Sequence, residues 1–389
     1  MTARGLTIVT QIRWAYRFFV GSDGPKKKYL YISEGGFWMK KALFALLVVA
    51  LVATPAFAQF KVGFVTDTGG IDDKSFNQST WEGIVRFQKD NKMPAANFKY
   101  LQSNAEADYL PNISAFADEG YNLIVASGFL FEKAIGDAAT NYPTSKFLVI
   151  DTVVSKPNVV SASFAEHEGS FLVGVAAALK AKADGKNTVG FIGGMQFPLI
   201  EKFQAGYEQG IMAALPEYKT WKRGNDMSLV ADGGKFTIFV DYTGDFAAPD
   251  KGQALAQKQF NKGAYIIFHA AGGSGNGMIK EAKERQQKGQ TVWAIGVDKD
   301  QYADGLIGNK SVVLTSMTKR VDVAAYTVCK LTYEGKFPGG QTLIFNVANN
   351  GVGLPEKNPN LSNDIMKVVD DFESKIASGK IKVSEIPQK

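Results

Sequence analysis

Short runs rich in valine, isoleucine and aromatic residues alternate with amphipathic stretches along most of this chain, in two successive series. KVGFVTD (Lys61–Asp67), FKYLQS, NLIVAS, KFLVID (Lys146–Asp151) and VVSASF form the first; TVGFIGG, FTIFVDYTG, AYIIFHA and TVWAIGVD (Thr291–Asp298) form the second. Strand-like runs separated by helical patterns predict βαβ units and parallel sheets, so the fold class is α/β with two similar sheets. In the second series the helices are expected near 197–215, 250–262 and 276–288. The polar, glycine-rich stretch 216–235 reads as a surface excursion. VVLTSM, a helix from about 320 to 334, a Pro-Gly-Gly turn at 338–340, two short strand candidates and an amphipathic helix over about 361–378 close the chain. Right-handed βαβ units put every strand's C-terminal end on one side of its sheet. Two such domains facing each other therefore leave a cleft lined by strand-to-helix loops.

The N-terminus carries a different signal. Fifteen apolar or small residues, Ala42–Ala56, follow Lys40-Lys41 and end in Ala56-Phe57-Ala58, the pattern of a cleavable secretory signal. Residues 39–58 are read as the signal peptide and 1–38, which precede a usable Met39, as a non-native extension carrying no fold. The mature chain is expected in the periplasm, free of a lipid anchor: acylation needs a cysteine at the cleavage site, and the single cysteine, Cys329, lies far downstream in a helical pattern. One cysteine also rules out an intramolecular disulfide. The formal charge of +6 comes from the N-terminus, because residues 1–58 hold 8 Lys or Arg and 2 Asp or Glu, leaving 36 of each sign. A neutral mature chain gives no electrostatic reason to bind nucleic acid or acidic membrane.

Candidate ligand groups concentrate at the strand ends. In order these are Asp67, Ser127-Gly128, Asp151, Phe246 in Tyr242–Phe246, Ala271–Gly277, Asp298 and Thr315–Lys319. Three aspartates and two phenylalanines, counting Phe76, recur at equivalent places. After Asp67, Ser75 is expected to cap a helix, with Gln78 completing a capping box and Phe76 and Asn77 in the exposed first turn. Gly272 and Gly273 suit close approach of backbone to a ligand as well as an ordinary strand-to-helix turn.

The segments VTDTGGIDDKSFNQSTWEG, VIDTVV, SFAEHEGSFLVGVAAA, YTGDFAAP, GVDKDQ and TSMTKRVD resemble the basic membrane protein family of ABC-transporter substrate-binding proteins, related to the purine nucleoside receptor of spirochaetes, from about Lys61 to Gly353. The resemblance implies a type I periplasmic binding protein: two Rossmann-like lobes with parallel sheets, joined by a three-crossing hinge. Residues 59–165 with about 299–335 are assigned to the N-terminal lobe, 166–298 with about 340–365 to the C-terminal lobe, and 366–389 to a C-terminal helix and tail. It further implies a base stacked between Phe76 and Phe246, ribose hydroxyls on Asp298 and Lys319, a polar wall and base edge formed by Asp67, Asn77 and Asp151, and the Gly272 backbone close to the ligand. The implied partners are a purine nucleoside and an inner-membrane ABC permease, with a monomer as the working unit.

Other readings share parts of this pattern. The fold could hold a free purine base or a flavin, or serve as a sensory receptor. The glycine-rich GGSGNG after AYIIFHA, with Asp298 about 25 residues on, suggests a dinucleotide-dependent enzyme, but the spacing is not G-x-G-x-x-G. His167 and His269 are not at metal-ligand spacing. His167, in EHEG at a helix start, reads as a cap-region or hinge residue. No catalytic residue, metal site or cofactor is expected.

Overall fold

The computed structural model describes residues 60–389; the expected signal peptide and the extension before it lie outside the described residues. In the first lobe β1 (Val62–Val65), β2 (Phe98–Leu101), β3 (Leu123–Ser127), β4 (Phe147–Ile150) and β5 (Val159–Phe164) pair in parallel in the order β2-β1-β3-β4-β5. Helices α1 (Phe76–Asp90), α2 (Tyr109–Asp118) and α3 (Glu132–Asn141) connect them. Strands β1, β3 and β4 are buried along their whole length, as continuous apolar runs are when helices cover both faces of a parallel sheet.

The second lobe repeats the plan. Its elements are α4 (Glu166–Ala183), β6 (Thr188–Gly193), α5 (Pro198–Ala214), β7 (Trp221–Arg223), β8 (Leu229–Ala231), β9 (Phe236–Tyr242), α6 (Pro249–Asn261), β10 (Ile266–Ala270), α7 (Gly273–Gln287), β11 (Trp293–Asp298), a small hairpin of β12 (Leu306–Ile307) and β13 (Lys310–Ser311), and β14 (Val313–Lys319). The parallel core runs β9-β6-β10-β11-β14, the same winding as in the first lobe. The stretch read as a polar surface excursion folds back as the antiparallel hairpin β7-β8 on the edge of β9, burying Leu229 and Ala231.

The chain then crosses back. Helix α8 (Val321–Tyr333) packs on α1 and β15 (Thr342–Phe345) joins β5 in the first sheet, before β16 (Val352–Gly353) returns to β14 and α9 (Asn363–Ala377) packs against α4. The expected division gave about 299–335 to the N-terminal lobe and about 340–365 to the C-terminal one; α8 and β16 lie where it put them, but β14 and β15 do not. Strand β14 is buried and hydrogen-bonded to β11, so it completes the second sheet. Strand β15 belongs to the first, but as a four-residue edge strand with alternate residues exposed it carries little apolar signal.

Three chain crossings lie side by side at the hinge: β5 to α4, β14 to α8, and β15 to β16. They are bonded to one another through Ala165 N–H to Phe345 C=O at 2.8 Å and Arg320 N–H to Gly351 C=O at 2.9 Å. One apolar cluster runs from Phe64 and Ile84 in the first lobe to Phe191 and Phe268 in the second, and each lobe has a separate cluster of its own, around Phe131 and around Phe260. No helix among the described residues is long and apolar enough to cross a membrane.

Candidate functional site

The eight residues assigned to the ligand converge on one cavity between the lobes, whereas Ser127, Ala271 and residues 273–277 and 315–318 do not line it. Asp67, Phe76, Asn77 and Asp151 from the first lobe face Phe246, Gly272, Asp298 and Lys319 from the second, around a cleft of about 530 Å³ that includes solvent at its mouth. Lining by C-terminal strand ends is where open α/β sheets bind a small ligand.

Both partly exposed aromatic rings are set by their backbones. Phe76 opens α1. Phe246 lies on Gly194, where an added Cβ would come within 2.1 Å of the ring, and its carbonyl accepts from Ser274 N–H at 3.0 Å. Gly272, at φ +51°, turns the chain from β10 into α7 beside Phe246, a conformation that side-chain-bearing residues adopt with strain. Phe129, unremarked in the sequence, crosses the mouth from the first lobe and meets Phe197 at 5.1 Å and Phe246 at 6.3 Å between ring centroids.

The polar wall is acidic. Asp151 follows β4 and Asp298 ends the equivalent strand β11, and both hold positive φ, +73° and +66°. For a non-glycine residue that conformation costs about 1–2 kcal/mol, and at a ligand clamp it fixes where the carboxylate points. Asp67 Oδ1 accepts from Gly69 N–H at 2.9 Å and Asn77 Nδ2–H at 2.7 Å. Burial pushes Asp67, Asp151 and Asp298 up to about 6; Asn77 opposes the shift most at Asp67, and Lys319 does so at the other two.

Lys319 is the one cation lining the cavity among the described residues. Its Nζ lies 2.6 Å from Asp151 Oδ2 and 3.0 Å from Glu166 Oε1, and 5.1, 5.1 and 5.6 Å from the ring centres of Phe76, Phe164 and Phe203. Burial alone would lower its pKa, but Asp151, Glu166 and Asp298 outweigh that and hold it above the ordinary lysine range.

Two expectations need correction. Ser75 makes no side-chain cap for α1; the cap is Asp73, which accepts from Ser75 N–H and Gln78 N–H on Oδ1 (2.9 and 3.1 Å) and from Asn77 N–H on Oδ2 (2.8 Å). Ser75 Oγ–H instead donates across the cleft to Asp298 Oδ2, and the Gln78 amide donates to Glu82. Asn77 spends its amide hydrogens on Asp67 and Asp73, so it holds the acidic wall in place. Burial raises Asp73 to about 7 against its three backbone donors. Missed entirely were Asp73, Glu166, Phe129 and Phe203. Only Asp73, in the IDDKSF run, had a sequence signal, as an Asx cap two residues before Ser75.

Residues 60–223 and 231–387 match the PnrA-like ABC transporter substrate-binding proteins. The chain belongs to this Bmp family. A CD4+ T-cell-stimulating antigen of Listeria innocua is 40% identical over 338 residues, covering 84% of this chain and 89% of that protein. The ABC transporter nucleoside-binding protein BmpA of Lactococcus lactis is 33% identical over 371 residues, covering 89% and 99%. Among solved structures, an ABC transporter solute-binding protein from Aeropyrum pernix superposes with a TM-score of 0.72 at 27% identity, covering 85% of this chain and 94% of that one. The protein is thus a substrate-binding protein of the type I fold, and the enzyme reading falls. GGSGNG is the turn into α7, its first-turn Ser274 and Gly275 amides taken by carbonyls of Phe246, Ala271 and Gly272. His269 is buried in β10 and held neutral, burial lowering it to about 4 against its bond to Gln301. Cys329 is buried in α8.

Proposed function

We propose that this Bmp-family protein captures a purine nucleoside between its lobes and delivers it to an ABC importer, acting in the periplasm after signal cleavage. The observation that carries the reading is the meeting, in one cavity, of Phe76 and Phe246 from opposite lobes with the carboxylates of Asp67, Asp151 and Asp298 and the ammonium of Lys319. Two aromatic rings lining one cavity from opposite lobes suit a planar base, with stacking contributing about 1–3 kcal/mol per base. Carboxylates accept from ribose hydroxyls and base N–H groups. Lys319 Nζ donates to Asp151 Oδ2 and lies 3.0 Å from Glu166 without hydrogen-bonding to it, so N–H donors remain for a ligand hydroxyl oxygen. Asp151 Oδ1 is buried without a donor of its own and is free to accept. The name of the Lactococcus relative supports the same ligand class.

The charge balance sharpens the choice. Asp67, Asp73, Asp151 and Asp298 line the cavity, with Glu166 behind Lys319, against that one cation. A phosphate brought among them would be repelled, so the site favours a nucleoside over its nucleotide.

The test is a melting series on refolded mature protein with guanosine, inosine, adenosine, guanine, ribose, riboflavin and guanosine monophosphate. A ligand at a thousand times its dissociation constant adds about 4 kcal/mol. Stabilisation by nucleosides, with none by ribose or the nucleotide, is the expected pattern. A response only to riboflavin or to free base would overturn the ribose roles of Asp298 and Lys319.

A further inference from the structure

We propose that Asp73-Lys74-Ser75, the three residues before Phe76, form a closure latch that the second lobe grips one residue at a time. Asn276 Nδ2–H donates to the Asp73 carbonyl at 3.0 Å, and Gln301 Nε2–H donates to the Lys74 carbonyl at 3.3 Å. The Ser75 hydroxyl donates to Asp298. Lys74 holds φ +56°, a strained conformation for lysine, and that turn presents successive groups of the segment to α7 and to the loop after β11. Outside the grip, Lys74 Nζ lies 3.5 Å from Asp304, an exposed pair that adds little.

The gripping residues are themselves held. Gln301 is fully buried, and its Oε1 accepts from Val297 N–H at 2.9 Å and from His269 at 2.9 Å, while its own N–H donates to Ser316 Oγ. An amide oxygen only accepts, so His269 carries its proton on Nε2, and the two donors turn the Gln301 NH₂ toward the first lobe. The other ring nitrogen, Nδ1, packs against Gly275, where an added Cβ would lie 1.9 Å away. His269, which contacts no ligand group, is thereby a positioning residue for the latch. Because the latch runs directly into Phe76, gripping it also sets that ring over the cavity. In the first lobe the segment is fixed to α1 by the Asp73 cap.

Ligand enters the open cleft and the lobes close over it, so a latch that stabilises the closed state slows escape and leaves entry little changed. Its loss therefore weakens all ligands alike, whereas loss of a ligand contact changes their ranking. The experiment uses the mature protein with spin labels at Lys133→Cys and Lys222→Cys, one exposed site on each lobe, with Cys329 buried and unlabelled. Asn276→Ala, at the rim, is the primary variant; His269→Phe and Gln301→Ala test the buried arm. Without ligand, Asn276→Ala is expected to move the distance distribution toward longer separations. With guanosine as probe its dissociation should quicken about tenfold, association should change less than threefold, and the guanosine-to-guanine affinity ratio should hold. Unchanged distances and dissociation in Asn276→Ala would overturn the latch. So would a changed ligand ratio, which would make Asn276 a ligand contact. The distance measurement stands without any ligand, so failure of guanosine to bind the parent protein would count against the nucleoside reading alone.

Discussion

Replacing Lys319 with methionine removes the cation from a buried cluster and leaves Asp151 and Glu166, with Asp298 nearby, without their counter-charge. Breaking a buried ion pair from one side costs about 3–5 kcal/mol. At about 2.1 cal/mol/K of unfolding entropy per residue over roughly 330 residues, that lowers the melting midpoint by about 4–7 °C. The loss depends on pH in a defined direction. A carboxyl whose folded pKa lies above its unfolded value keeps a proton that the unfolded chain releases, so its contribution is fully present below the unfolded pKa and is lost as pH rises through the folded one. In the parent protein Asp151 and Asp298 follow this rule between about 4 and 6, and without Lys319 the window extends upward. One extra retained proton between pH 7.5 and 6 recovers up to ~2 kcal/mol. Calorimetric melting of Lys319→Met against the parent at both pH values is the assay, with Lys319→Met/Glu166→Gln expected to regain part of the loss. A deficit equal at the two pH values, or no deficit, would refute the reasoning that Lys319 neutralises this cluster.

Other outcomes follow from the cavity. Phe76→Ala and Phe246→Ala should each weaken guanosine binding at least tenfold in calorimetric titration while leaving ligand-free melting nearly unchanged, because both rings are partly exposed at the cavity wall; collapse of ligand-free stability would mark them as core. Asp298→Asn should weaken guanosine more than guanine, and equal losses would remove the ribose from Asp298. Donor groups on the ligand favour the ionised forms of Asp67, Asp151 and Asp298, each near 6 when unliganded. Binding should therefore release protons, and guanosine affinity should fall as pH drops from 7 to 5, by up to about tenfold per unit for each carboxylate that must ionise. Titration in two buffers of different ionisation enthalpy reads the proton count, and a flat affinity without release would contradict it.

That Asp67, Asp151, Gly272, Asp298 and Lys319 would line one cleft was legible because the rule is topological: once β1, β4, β10, β11 and β14 are recognised as parallel strands, the residues at their C-terminal ends must meet, while the roles of Phe76, Asn77 and Phe246 and every contact with a ligand were expected from the family resemblance. What stayed hidden depends on partners remote in sequence. Glu166 reads as an ordinary first-turn acid until Lys319, 153 positions away, is seen beside it. Ser75 has the residue type of a cap and fits the local pattern, yet Asp73 reaches three backbone N–H groups at once and frees Ser75 for Asp298. The lobe assignment of β15 was lost because a short, half-exposed edge strand has little to distinguish it from a turn. The hairpin over 221–231 escaped because only alternate residues of its strand β8 are buried.

The central claim is that the interlobe cavity holds a purine nucleoside, and the most direct measurement is mass spectrometry of the small molecules released when protein purified from its native host is denatured. A purine nucleoside in near-stoichiometric amount is the predicted result. A flavin, a free base or a sugar in its place would contradict it.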